Sequence, residues 1–213
     1  VEEWDEYRRF VLDNGRPPES HESQLVEQAK RRRISPDDLF GLAIEDVGTD
    51  AFELARDRVR DDLLVFLATS HFGRKPKLSE LPKRYQIDIR HHFGSLKRGL
   101  DAGMSILTES ANPDVRRTCA LESSAGKHVD DGLFVQPEAV QELDVRLRAY
   151  VALGTLFFGD YTEADLIKLH LSNNKITFYL KDRKDSLSAF KVDFQRRMMS
   201  NYVIPREKVA SVL

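Results

Sequence analysis

Glu163–Tyr179 reads EADLIKLHLSNNKITFY. Ile167, Leu169 and Leu171 alternate with Lys168 and His170, and Ile176, Phe178 and Leu180 alternate with Thr177, Tyr179 and Lys181. Strict alternation puts one set of side chains on each face of a strand, and Ser172-Asn173-Asn174 between the runs supplies turn formers, so the stretch predicts a β-hairpin. Phe190, Val192 and Phe194 alternate with Lys191 and Asp193 and predict a third strand.

Upstream of the hairpin the period changes from two to between three and four. Val145–Phe158 is nearly continuous apolar sequence, a buried helix ended by Gly159. Leu133-Phe134-Val135 is a short apolar run, and Pro137 opens a helix. Ala51–Phe72 carries the longest helical signal, with Phe52, Ala55, Val59, Leu63, Phe66 and Leu67 on one side. A further helix follows Leu78–Pro82, its apolar stripe made by Ile89, Phe93, Leu96, Leu100, Met104 and Leu107. Helices first, then a small antiparallel sheet packed on helices, is an α+β architecture.

The first fifty residues read as three short helices. Trp4, Tyr7, Phe10 and Val11 recur at helical spacing, and Asn14-Gly15-Arg16-Pro17-Pro18 stops that helix. A second runs from about Ser23 to Arg33. In the third, Ser35 caps Pro36 with Asp38 as a short capping-box partner, and Gly48 closes the end. The succession is similar to small helix-turn-helix repeats of DNA-associated proteins. It suggests a helical segment over 1–50 ahead of an α+β domain over 51–213. Lys30-Arg31-Arg32-Arg33 reads as a phosphate-contacting run or as the dipole-complementing end of the second helix.

Composition sets the class. The 213 residues are 41% hydrophobic and 32% charged, the balance of a folded soluble domain. No run approaches a membrane span, and Val1 opens an acidic amphipathic stretch without a secretory pattern. The single Cys119 excludes an internal disulfide and fits a reducing cytoplasm. The absence of an initiating Met fits a piece of a longer protein. A net charge of −2 provides no global field for nucleic acid, so any phosphate contact must come from a local patch.

Most chemical motifs fail. Ser123–His128 has a Gly-Lys pair but lacks the flanking residues of a phosphate loop, and no glycine-rich strand-turn motif indicates a dinucleotide or methyl-donor cofactor. His21, His71, His128, His170 and Cys119 are scattered, and adjacent His91-His92 point to different helix faces, so neither a metal site nor thiol catalysis is indicated. Asp165 with Asp182-Arg183-Lys184 loosely imitates a metal-dependent nuclease: two carboxylates for Mg²⁺ and a lysine for the attacking water or the scissile phosphate. The same residues read as a polar loop.

Several blocks in order carry a family resemblance: Arg60–Phe66 with Lys77–Pro82, Asp88–Ser95, Gly126-Lys127 with Asp131–Val135, Leu147–Tyr150, Asp165–His170, Lys175–Phe178 and Lys191–Asp193. From about Arg60 onward the chain resembles the C-terminal region of methyltransferases associated with DNA phosphorothioation, a bacterial DNA-modification and defence system. The resemblance implies a non-catalytic, DNA-associated region, because that family's methyl-donor fold lies upstream of it. It implies no cofactor and no catalytic residue here. The family carries a longer link before its next strand, and the 182–186 loop departs from it, which argues against the nuclease alternative.

Two basic surfaces follow. From Lys83 to Leu100, Lys83, Arg84, Arg90, Lys97 and Arg98 oppose only Asp88, and at 100° per residue Arg90, Lys97 and Asp101 share a face flanked by Arg98 and His91. On the sheet, Lys168 and His170 lie opposite Ile167 and Leu169 and are expected to point outward, joined by Lys127 and Lys175. Arg90, Lys97, Arg98, Lys127, Lys168, His170 and Lys175 are the expected phosphate contacts; the alternative for each is a solvated face. DNA is the expected partner, with other proteins of a modification system as the rival and no membrane contact.

Overall fold

The structure, a computed structural model, describes residues 2–72, 75–181, 187–196 and 198–204, the last strand largely as backbone. The chain forms two compact units, Val1–Leu63 with Lys75–Gly99, and Leu64–Arg74 with Leu100–Leu213.

The first unit begins with α1 (Glu2–Asn14), α2 (Gln24–Arg31) and α3 (Pro36–Val47). Gly15 takes φ +59 and its N–H bonds Val11 O, so the first helix ends where the local sequence demands. A Cβ at Gly15 would stand 2.4 Å from Arg56 Cα, so close backbone approach also requires glycine there. Tyr7, Val11, Val26, Ala29, Leu39, Ala43 and Phe52 form the core, with Trp4 stacked on Tyr7 and Phe52 edge-on to Phe40. Arg16 is 1% exposed; its Nε donates to Asp88 Oδ1 at 2.5 Å and its Nη atoms to Glu22 at 2.7 and 2.8 Å. This doubly paired cation ties the post-α1 turn to α5 (Lys83–Phe93).

Two helices cross the division in sequence: α4 (Thr49–Thr69) and α6 (Leu96–Ala111). In the second unit, α7 (Pro113–Glu122) precedes β1 (Lys127–Val129) and β2 (Gly132–Val135), and α8 (Val145–Phe158) precedes β3 (Leu166–His170), β4 (Lys175–Lys181), β5 (Leu187–Asp193) and β6 (Met198–Ile204). The six strands form an antiparallel meander in chain order. Ile167 pairs with Phe178 and Leu169 with Ile176, so the hairpin has the register its alternation predicts. Leu133, Val135, Ile167, Leu169, Ile176, Phe178 and Val192 make one apolar face, which packs with Cys119 and Ala120 of α7 and Leu147, Tyr150 and Val151 of α8. Each large side chain buried this way contributes about 1.5–3 kcal/mol. The fold is α+β, as expected.

Several local expectations are corrected. The helix read continuously through Leu107 is two helices: Gly94, at φ +74, ends α5, and Ser95 starts α6 by accepting the Arg98 N–H at 3.2 Å. Arg90 and Lys97 therefore share no helical face. Ser35 caps α3 through the Asp37 N–H, without the reciprocal bond from Asp38. The helix expected to open at Pro137 is present as a short 3₁₀ helix, Pro137–Glu142. Leu156 and Phe157 at the end of α8 are exposed, although the surrounding sequence is uniformly apolar.

Candidate nucleic-acid interface

The seven expected contacts divide between the units, with Arg90, Lys97 and Arg98 in the first and Lys127, Lys168, His170 and Lys175 in the second. Arg90, near the end of α5, is exposed. Lys97 and Arg98 are exposed in the opening turn of α6, which contains no acidic residue. Among the described residues, none of these three forms an ion pair. A helix start carries roughly half a positive charge, and cations there add to its field; an anion lowers the energy of the whole arrangement.

The sheet presents a more compensated surface. Pairing aligns Lys127 with Phe134, Phe134 with Lys168, Lys168 with Thr177, and Thr177 with Lys191, a row across five strands on the face away from α7 and α8. Lys191 belongs to this row, although alternation alone marks it only as outward on β5. Lys127 is exposed. Lys168, 16% exposed, donates to Asp131 Oδ1 at 2.7 Å, with its Nζ 5.4 Å from the centre of the Phe134 ring. That hydrogen bond first, opposed by partial burial, holds the Asp131 carboxyl below its usual range. Lys175 faces Asp193 at 3.5 Å.

His170 is corrected outright. The hairpin places it on the expected face, but that face is largely covered over β4 and β5: Thr177, Leu187 and Ala189 are 0% exposed and His170 only 7%. Its Nε2 lies 3.0 Å from Thr177 Oγ1 and its Nδ1 3.7 Å from Asp131 Oδ2. Burial foremost, then the nearby Lys168 and Lys191 charges, press its pKa to about 4. At neutral pH it is an uncharged hydrogen-bonding core group and cannot neutralise phosphate. The order Asp131, His170, Thr177 imitates a hydrolytic relay, yet the hydroxyl is sealed from any substrate.

Asp165, the described acid of the nuclease alternative, is exposed, and its Oδ2 accepts the Lys181 N–H at 2.6 Å. Asp182 and Lys184 lie outside the described residues. Among the described residues, no three His, Cys, Asp or Glu side chains gather as a metal site, and no helix is long and apolar enough to cross a membrane.

No family model, curated protein or solved structure matches the chain. The family resemblance therefore rests on the sequence blocks alone.

Proposed function

We propose that the chain is a non-catalytic, DNA-associated recognition or accessory domain of a bacterial DNA-modification or anti-phage system, acting in the cytoplasm. Its main structural support is the α6 start, where exposed Lys97 and Arg98 add to the positive end of a helix, with Arg90 on the preceding helix as a third uncompensated cation. Such groups contact the sugar-phosphate backbone and give position without reading bases. Lys127 adds a further exposed cation in the second unit, while Lys168 and Lys175 are partly neutralised by their acids.

Duplex binding measured by anisotropy over a salt series tests the reading. Removing one phosphate-binding side chain should reduce the logarithmic salt slope by about 0.9, so the Lys97→Ala/Arg98→Ala double variant should flatten it by about 2. An undetectable complex at low salt, or a double variant indistinguishable from wild type, would overturn it.

One observation favours the rival reading as a protein-interaction module. A groove of about 980 Å³ between α1 and α2 is lined by Glu2, Glu3, Glu6 and Glu27, against the single cation Arg31 among its described lining residues, with Glu22 there already paired to Arg16. Its charge repels phosphate and suits a basic segment of a partner protein.

A further inference from the structure

A second cavity, of about 760 Å³, lies wholly within the second unit, lined by Phe72, Leu153, Leu156, Phe157 and Phe194 around Arg116, Tyr150 and Asn174. Phe72, Leu156 and Phe157 are exposed large apolar side chains. Arg116 is 0% exposed. Its Nη1 donates to Ser110 O at 2.6 Å, and its Nη2 to Asn174 Oδ1 at 2.7 Å and Asn173 O at 3.3 Å. The guanidinium carbon stands 4.4 Å from the centre of the Tyr150 ring. Every one of these acceptors is neutral, and among the described residues no carboxylate pairs with this arginine. The Nε is buried and, among the described residues, has no hydrogen-bond partner.

That combination is energetically incomplete. A buried guanidinium normally has a carboxylate, as Arg16 has two. Here burial lowers the Arg116 pKa, and the Tyr150 ring and three amide-type oxygens are its compensation. Nε and Nη2 form one edge of the guanidinium, the edge that takes a carboxylate through two parallel hydrogen bonds. On this edge Nη2 is held by a neutral amide oxygen and Nε by no described residue.

We infer that this cavity is a binding site for a small organic carboxylate with a flat apolar body, the carboxylate replacing Asn174 Oδ1 on the Nε/Nη2 edge of Arg116 and the body packing against Leu153, Leu156, Phe157 and Phe194. Single negative charge fits better than double, because Arg116 is the only cation among the described lining residues and a phosphate dianion would leave uncompensated charge in an apolar site. The aromatic walls select a planar or bulky apolar body, with the polar groups confined to one end.

Calorimetric titration of the full chain with 2-naphthoate, 2-naphthamide and 2-naphthyl phosphate tests the site. Naphthoate should bind about tenfold or more tighter than the neutral amide, the difference a charge-assisted pair makes over a neutral one. Phe157→Ala, which removes an exposed wall, should weaken naphthoate binding about tenfold or more with little change in thermal midpoint. Arg116→Lys should abolish the preference for carboxylate over amide; if that variant does not fold, the comparison of the three probes on wild type still decides. Equal binding of naphthoate and naphthamide, tighter binding of the phosphate, a Phe157→Ala variant with unchanged affinity, or no heat with naphthoate at millimolar concentration would each overturn the assignment.

Discussion

Lys168 Nζ donates to Asp131 Oδ1 at 2.7 Å, joining a lysine at the middle of β3 to the turn between β1 and β2, 37 residues earlier. The lysine that alternation nominates as a phosphate contact thus already has an anion. Lys168→Ala should change duplex affinity by less than about twofold, whereas Asp131→Asn should tighten it and steepen the salt slope by up to about 0.9. Either change should cost about 1 kcal/mol or less in stability, because Asp131 is half exposed. Anisotropy titrations of both variants check the contrast.

His170 makes folding stability depend on pH. Its folded pKa, about 4, lies below the ordinary value of 6.5, so the unfolded chain binds the proton more readily. The resulting stabilisation is full above pH 6.5, declines as pH falls, and is lost below about 4, on the order of 1–3 kcal/mol in all. His92, pressed to about 4 by burial first and His91 next, has the same sign in the other unit. Urea unfolding at pH 7.5 and 5 should show the fall, and His170→Asn should reduce the slope while leaving the part due to His92. In NMR, the His170 ring resonances should not titrate between pH 8 and 5.5.

Two glycines in helices should respond oppositely to alanine. A Cβ on Gly154 of α8 would stand 2.8 Å from Phe178 Cζ and 2.9 Å from Ile176 Cγ2, so Gly154→Ala should destabilise by about 1–3 kcal/mol. Gly41 of α3 has nothing within 4 Å of that position, and Gly41→Ala should stabilise by about 0.5–1 kcal/mol. Thermal unfolding of the two variants distinguishes close packing from helix propensity.

Arg16→Ala should be among the most damaging single changes in the first unit. It strands the buried Asp88 carboxylate, which is left with Arg84 at 3.6 Å, and it releases Glu22. A loss of about 3–5 kcal/mol is expected from breaking a buried pair on one side. Replacing Arg16 and Asp88 together by methionine and leucine should recover part of it, as measured by denaturant midpoints.

Local rules made much of the fold legible. Gly15, Gly48 and Gly159 each take positive φ where the sequence places a helix end, Ser35 caps α3, and period-two alternation specified the β3–β4 register. The Gly94-Ser95 break carried a signal of the same kind, a C-terminal glycine followed by a capping serine, but the apolar stripe continued across it and masked it. β1, β2 and β6 offered less: β1 is three residues long and β2 four, too short for alternation to stand out.

Determined by the sequence itself are the properties that depend on neighbours along the chain: helix ends, turn chemistry, and which side chains of a strand share a face. Lys168 and His170 share a face because alternate residues must. Tertiary structure alone decided what that face became. Asp131 came from a distant turn to neutralise Lys168, and burial over β4 and β5 left His170 uncharged. It also set Arg116 in the lining of a largely apolar cavity, with no carboxylate partner among the described residues. Periodicity fixes orientation within an element, whereas charge state and accessibility depend on solvent exclusion and on partners tens of residues away, and no local pattern encodes those.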